Sequence, residues 1–210
     1  NLIFESKIPE KIGDKSVGID RGLYNIVCLS DGFKYSSNKI RKNKRKNFFI
    51  KKQLQTKGTP SAKRKLKKIG GREKRFSLNE NHVISKKIVN MSYDIFVLED
   101  LKGIRKQKSK GKKLNKWLSN WSFWQLEQFL VYKAEALGKQ VIKVDARYTS
   151  QKCSNCNLIE KLNRKGSHYN CERCGYKEHA DINAAKNIRN NYISIAAKKI
   201  EQVASQSTKS

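Results

Sequence analysis

Short apolar runs, separated by polar and turn-forming residues, recur along this chain and predict five β-strands. The runs are rich in β-branched and aromatic residues and are bounded by residues that favour turns, which is typical of strands in a sheet. Asp31 and Gly32 are a strong signal for a hairpin between the second and third runs. The first three strands are therefore expected to be antiparallel neighbours. The predicted strands lie at residues 17–20, 25–30, 33–36, 94–101 and 140–145.

Between the strands, apolar residues recur at helical spacing, so the chain reads as a mixed α/β protein. Residues 39–75 hold 17 Lys or Arg and one acid, Glu73, and predict two basic helices joined by a turn at 58–60. A disordered basic tract is the alternative for this segment. Further helices are expected at 76–91 and 117–137. The helix at 117–137 is expected to pack on the sheet, and stacking of its tryptophans on nucleic-acid bases is the alternative.

The charge of the chain indicates a polyanionic partner. The net charge is +29, from 47 basic and 18 acidic residues. Such an excess favours nucleic acid first and an anionic membrane surface second. Residues 102–116 hold eight Lys or Arg and no acid, and predict a flexible loop that faces the polyanion. No apolar run approaches the length of a membrane span, so we expect no membrane partner.

Four of the five cysteines form two C-x-x-C pairs that are 14 residues apart. Each pair lets one tight turn supply two sulfurs, and four thiolates are the ligands of closed, structural zinc sites. Two disulfides are the alternative, but an odd number of cysteines leaves one thiol unpaired. Cys28, the fifth, lies in an apolar strand and is expected in the core. We therefore predict that Zn²⁺ is bound by Cys153, Cys156, Cys171 and Cys174.

Each C-x-x-C turn, called a knuckle below, is followed by a residue that tolerates a left-handed backbone. These residues are Asn157 after the first pair and Gly175 after the second. The 14 residues between the pairs are enough for a short two-stranded ribbon.

Three acids occupy positions that suit metal-dependent chemistry. Asp20 ends the first strand, Glu99 ends the long central strand and Asp181 opens the last helical segment. Clustered carboxylates repel one another unless cations lie between them, and their oxygens suit Mg²⁺ or Mn²⁺. Each acid also has a simpler explanation: a turn residue, an ion pair and a helix N-cap, respectively. Asp100 and Asp145 also end strands, and the pattern alone does not exclude them.

Several motifs occur together and in one order along most of the chain. The motifs are GIDRG at 18–22, NHVISKKIV at 81–89, VLEDL at 97–101 and TSQKCSNC…CERCG…DINAAKNI at 149–188. This combination resembles the nuclease half of TnpB-type (OrfB family) proteins, transposon-encoded RNA-guided DNA endonucleases that are relatives of the type V CRISPR effectors. The resemblance spans about residues 16–190.

The resemblance implies an RNase H-like (RuvC) α/β fold, a mixed sheet with flanking helices and an inserted zinc ribbon. The tail is expected to be disordered from Ala204. The implied organisation is the end of an upstream domain at 1–15, a nuclease domain at 16–148 with a basic helical insertion at 39–75, the zinc ribbon at 149–178, the last nuclease helix at 179–191 and a tail at 192–210.

The resemblance also implies an activity: metal-dependent hydrolysis of DNA phosphodiester bonds by water. The matching acids are Asp20, Glu99 and Asp181, which selects Glu99 over Asp100. Mg²⁺ or Mn²⁺ is the implied catalytic cofactor and Zn²⁺ the structural one. The implied partners are a DNA target and a guide RNA, and the implied location is the cytoplasm of a prokaryote, at the nucleoid.

The chain departs from the family pattern at two places. Arg21 follows the first acid, where an apolar residue is commoner, and is expected to lie near the metals or a phosphate. Glu178, His179 and Ala180 precede Asp181 without the usual Asp-Arg pair.

Two other functions are the alternatives to a nuclease. They are a catalytically silent RNA-guided DNA-binding module and a strand-transferring transposase.

Overall fold

A five-stranded mixed sheet is the centre of the computed structural model, which describes residues 13–101 and 123–207, with side chains to residue 202. The strand order is β3-β2-β1-β4-β5. The three N-terminal strands are antiparallel neighbours, as predicted, and β4 and β5 run parallel to β1. The five strands predicted from the apolar runs are confirmed. Their bounds are β1 Ser16–Asp20, β2 Asn25–Leu29, β3 Lys34–Ser36, β4 Ile95–Asp100 and β5 Gln140–Asp145.

Helices cover both faces of this sheet. Alternate residues of β4 enter different cores, as the period of two in a strand requires. Phe96 and Leu98 pack with the core of α2 and α3, whereas Ile95 and Val97 pack with Ile188 of α4. The described helices are α1 Asn38–Lys57, α2 Pro60–Val89, α3 Phe123–Glu135 and α4 Ala180–Ser207.

The basic segment forms a helical hairpin of α1 and α2, which confirms the two helices predicted there. Gly58 ends α1 in the left-handed region (φ 65°) and the Thr59 hydroxyl caps α2 by accepting the amide of Ala62 (3.2 Å). The separate helix predicted at 76–91 is instead the second half of α2, because Gly70 and Gly71 do not interrupt the helix.

The zinc ribbon is a three-stranded sheet rather than the two-stranded one predicted. Its strands are β6 Arg164–Lys165, β7 His168–Asn170 and β8 Lys177–His179, and β8 leads directly into α4. The third strand forms because residues 177–179 pair with β7 before the helix begins.

The last helix is longer than predicted. It continues through the segment 192–207, part of which was expected to be disordered, because no Gly or Pro occurs in α4 to end it. No helix in the described part of the chain combines the length and the hydropathy that a bilayer crossing requires.

Some predictions fall on parts of the chain outside the described residues. These are most of the upstream segment 1–15, the basic loop 102–116, the start of the helix at 117–137 and the end of the tail at 208–210. The described part of the helix predicted at 117–137 packs on the sheet through Leu126, Leu130 and Ala134, which confirms that expectation. Trp124 is 69% exposed and takes no part in this packing.

Candidate active site

Helix α4 lies directly across β1 and runs antiparallel to it. A Cβ atom at Gly18 would come within 2.0 Å of the Ala185 carbonyl oxygen, so only glycine permits this close approach. One turn further along the helix, Arg189 Nε donates to Ser16 Oγ at 3.3 Å. In the other direction the helix leads to Asp181, which therefore lies near the end of β1, where Asp20 is located.

The parallel pairing of β1 and β4 brings a second acid to the same edge. Ile19 is paired with Leu98, so Asp20 and Glu99 follow on neighbouring strands. Both side chains face α4, since they lie two residues beyond Gly18 and Val97, which contact that helix or its core. The alternation places Asp100 on the opposite face. Asp145 is exposed and ion-paired with Arg147 at 2.5 Å.

The electrostatics reflect this convergence of acids. Burial raises the pKa of Asp20 to about 8, and the charges of Glu99 and Asp181 add to the shift. Burial also raises the pKa of Glu99. Asp20 and Glu99 are thus destabilised as anions, and a bound cation would offset the cost of their burial.

Polar partners hold two of the acids, and sequence reasoning missed these partners. Asn25 Nδ2 donates to Asp181 Oδ2 at 2.9 Å, and the Arg164 guanidinium donates to Asp181 Oδ1 at 3.4 Å. The Thr149 hydroxyl donates to Glu99 Oε1. Thr149 begins the TSQKC motif, which was a signal for it, whereas Asn25 and Arg164 carry no local signal because only the fold brings them here.

The carboxylates do not form a closed ligand set by themselves. Among the described residues, the four cysteines are the one group of metal-ligand side chains whose ligand atoms all lie within 4.8 Å of one another. In at least one pair of the three acids the carboxylate oxygens are further apart than this.

Arg21 lies beside Glu99 at the acid-bearing edge. Burial raises the pKa of the Glu99 carboxyl, and the positive charge of Arg21 opposes this rise. The expected place of Arg21 near the metals or a phosphate stays a prediction. Its side chain is 1% exposed and donates to Glu127 Oε2 on α3 (2.9 Å) and to the backbone carbonyl of Glu99 (2.7 Å). Lys143 also pairs with Glu127, at 3.1 Å. Arg21 therefore joins the end of β4 to α3, and its guanidinium lies close enough to Glu99 for its charge to stabilise that carboxylate.

The four cysteine sulfurs have the spacing of a zinc site. Cys153 and Cys174 Sγ are 3.7 Å apart, and Cys156 and Cys171 Sγ are 3.5 Å apart. Four sulfurs at about 2.3 Å from one tetrahedral zinc would lie about 3.8 Å from each other. The cluster therefore fits a structural zinc ion, as the spacing predicted.

Local backbone geometry supports the cysteine cluster. Asn157 (φ 62°) and Gly175 (φ 69°) both adopt the left-handed region, as predicted for the knuckles. Hydrogen bonds from the Tyr176 backbone and the Asn155 side chain lower the pKa of Cys174 to about 6, which favours the thiolate that zinc binds.

Two buried asparagines of α4 attach the ribbon to the acid-bearing edge. Asn183 accepts the Ser154 amide at 3.0 Å and donates to the Lys152 carbonyl at 2.8 Å. Asn187 donates to the carbonyls of Thr149 (2.9 Å) and Lys152 (2.6 Å). The knuckle, α4 and the residue that contacts Glu99 are thus one hydrogen-bonded unit.

Several known proteins are similar to this chain in sequence. Residues 123–188 match the family model described as Cas12f1-like, TNB domain. The CRISPR-associated endodeoxyribonuclease Cas12f1 of Sulfoacidibacillus thermotolerans is 42% identical over 113 residues, which cover 51% of this chain and 25% of that protein. The TnpB-like protein MJ0751 of Methanocaldococcus jannaschii is 32% identical over 160 residues, which cover 73% of this chain and 56% of that protein. The chain is a relative of Cas12f1 and TnpB-like proteins.

A solved structure supports the same relationship at the level of the fold. The protein in a cryo-EM structure of a Cas12f1-sgRNA-target DNA complex superposes with a TM-score of 0.60 at 21% identity, over 82% of this chain and 48% of that one. The resemblance to TnpB-type proteins and type V effectors is therefore confirmed. The chain spans between a quarter and just over half of the length of these Cas12f1 and TnpB-like relatives.

The raised pKa of Asp20 predicts how the stability of the chain depends on pH without added magnesium or manganese. Between pH 4 and 8 the Asp20 carboxyl keeps its proton in the folded state but loses it in the unfolded state. The free energy of unfolding therefore decreases as the pH rises toward 8. Asp20→Asn is expected to reduce the fall in melting temperature between pH 6 and pH 8 by about 5 °C. Calorimetry at the two pH values measures this. Asp145→Asn changes an exposed acid and should leave the decrease in melting temperature between the two pH values unchanged. An equal decrease in Asp20→Asn and in the parent chain would contradict the prediction.

Proposed function

We propose that this chain carries the RuvC-like, RNase H-type catalytic core of an RNA-guided DNA endonuclease that depends on Mg²⁺ or Mn²⁺. The observation that carries the proposal is the convergence of Asp20, Glu99 and Asp181 at one edge of the sheet, where burial and mutual repulsion raise the pKa of Asp20 to about 8. A sheet edge that gathers buried acids from two strands and a helix is costly for folding unless it serves to bind cations.

The residues present fit a divalent metal. Asp20, Glu99 and Asp181 would hold it, since all three offer carboxylate oxygens and the pKa of Asp20 reflects the charges of the other two. The bound ions would activate a water and stabilise the charge that develops on the attacking and leaving oxygens of a phosphodiester. The zinc ribbon braces this edge through Asn187 and Thr149 and helps to guide a single strand toward it.

The partners follow from the charge and from the relatives. The basic segments 39–75 and 102–116 hold backbone phosphates, so binding weakens steeply with salt. The structural relative is a complex with sgRNA and target DNA, and we propose the same classes of partner, a guide RNA and a DNA target, for the protein to which this chain contributes.

The experiment that tests the proposal is cleavage of end-labelled DNA by the chain, supplied with its co-expressed RNA, with and without Mg²⁺ or Mn²⁺. Shortened products that require the metal are expected. Joined strands would instead identify a strand-transferring transposase, and metal-independent binding without any product would identify a silent binding module.

Thr149 is expected to position the catalytic acid Glu99. It is 3% exposed, and its hydroxyl contacts Glu99 Oε1 and lies 3.0 Å from the Ala146 carbonyl. Thr149→Val keeps the shape but leaves the carboxylate without this donor, so we expect cleavage at limiting Mg²⁺ to fall about tenfold and the Mg²⁺ requirement to rise. A titration of the initial cleavage rate with Mg²⁺ measures both effects. Thr149→Ser keeps the donor and should restore the parent curve. Overlapping curves for Thr149→Val and the parent would show that Glu99 does not need this contact.

A further inference from the structure

The outer face of α2 carries a stripe of cations. Five basic residues recur at spacings of three or four, which places them on one side of the helix. All five are exposed, and together with a glycine at the centre of the stripe they line an open groove of about 520 Å³. The groove residues are Arg64, Lys67, Lys68, Gly71, Arg72 and Arg75.

The part of the chain that the structure describes does not neutralise this stripe. None of its five cations has a hydrogen-bond or ion-pair partner among the described residues. The one acid of the segment, Glu73, is directed the other way and pairs with Lys51 of α1. Like charges three or four residues apart destabilise a helix. The stripe is therefore complementary to an anion outside the described chain.

Gly71 has no packing reason to be glycine. It lies in the interior of a 30-residue helix, where glycine is less stable than alanine. A Cβ atom there would meet only Arg75 Nη1, at 3.6 Å, which is an ordinary contact. Gly70 is equally unobstructed, with nothing within 4 Å of an added Cβ. Successive residues are about 100° apart around a helix, so Gly71 lies within the stripe and Gly70 lies beside it.

We infer that the phosphodiester backbone of a nucleic acid crosses α2 at Gly71, where the bare helix surface admits a phosphate closely and the five cations hold phosphates on either side. The stripe spans 12 residues, or about 16 Å along the helix from first to last, which matches an extended backbone contact rather than one isolated anion. This inference rests on the nucleic-acid partner of the proposed function but not on the three acids.

The matched pair Gly71→Leu and Gly70→Leu tests the close approach. Leucine favours the helix at either position, so both variants should melt about 2 °C higher than the parent chain. Only Gly71→Leu places a side chain within the stripe, and its affinity for nucleic acid should fall about tenfold, as for the loss of one charge-assisted hydrogen bond. Gly70→Leu should bind like the parent.

Binding is measured by fluorescence anisotropy without added magnesium or manganese. The probes are a labelled 20-mer as single-stranded DNA, as duplex DNA and as an RNA–DNA hybrid, and the probe that loses most affinity identifies the backbone that crosses α2. Equal affinities of the two glycine variants, or no binding of any probe by the parent, would overturn the inference.

A charge comparison gives an independent readout. Removing two stripe cations, Arg72→Gln with Arg75→Gln, should lower the slope of log affinity against log salt by about two. Lys63→Gln with Lys65→Gln removes two exposed cations of α2 beside the stripe and should change the slope by less than half as much. Equal changes would show only general attraction to a basic chain. Cleavage is assayed separately, so a failure of the stripe and a failure of the nuclease site give different results.

Discussion

Replacing Asp20 with asparagine is expected to lower metal-dependent DNA cleavage by about a thousandfold or more, while DNA affinity stays within about twofold of the parent chain. Asparagine has nearly the same shape but carries no charge, so the edge loses one carboxylate ligand for the cations. Asp20 is the acid whose pKa responds to both of the others, which places it in the midst of the group. Phosphates are attracted by the basic surfaces and not by this carboxylate, so binding should persist.

The controls for this prediction are the other acids at the ends of parallel strands. Asp100→Asn changes the residue next to Glu99 that lies on the opposite face of β4, and Asp145→Asn changes an exposed acid paired with Arg147. Both variants should cut at close to the parent rate. Single-turnover rates on end-labelled DNA, with anisotropy on the same substrate, measure cleavage and binding together. A cleavage rate of Asp20→Asn equal to that of the parent would remove Asp20 from the site.

Loss of one zinc ligand is expected to unfold the ribbon and, with it, to remove most of the cleavage activity. Structural zinc sites contribute on the order of 10 kcal/mol to folding, and a small three-stranded sheet has little core of its own. In Cys171→Ser we therefore expect bound zinc to be lost and amide protection in residues 164–179 to collapse. Cleavage should fall at least about tenfold, because the segment that leads into the first knuckle carries Thr149, which contacts Glu99.

Cys28 supplies the matched control for the zinc prediction. It is the fifth cysteine, buried in β2, and burial raises the pKa of its thiol to about 12, so it remains a neutral core group. Cys28→Ala should keep one equivalent of zinc, measured by elemental analysis, and should keep the amide protection of the ribbon. The zinc assignment would be contradicted by a Cys171→Ser protein that still holds zinc, or by a Cys28→Ala protein that does not.

Local pattern was sufficient for much of the fold. Apolar runs predicted all five strands, because a buried strand needs consecutive or alternating apolar residues whatever its neighbours are. The local pattern gave wrong helix ends at places where continuing the helix and ending it differ little in local free energy. Gly70 and Gly71 leave α2 continuous, since isolated glycines weaken a helix without ending it, and α4 runs on to Ser207 because nothing in its sequence ends it.

The zinc site and the acids were predictable to different degrees. The four cysteines are close in sequence, so the spacing of two tight turns already defines one tetrahedral set of ligands. The acids lie 79 and 82 residues apart, and the local pattern left Asp100 and Asp145 open beside Glu99. The resemblance selected Glu99, and the register of β1 with β4 now gives a physical basis for that choice.

The sequence by itself determined the features that depend on neighbours along the chain: the strands, the basic hairpin, the two zinc knuckles and the excess of positive charge. Only the tertiary structure decided which acids meet, that Arg21 joins β4 to α3, and that Asn25, Thr149 and Arg164 hold the acids. The physical reason is the distance along the chain over which each kind of interaction acts. Turn geometry and periodicity act over a few residues, whereas the environment of a carboxylate is set by strand register and by the close approach of α4 at Gly18, which bring together residues that are far apart in the chain.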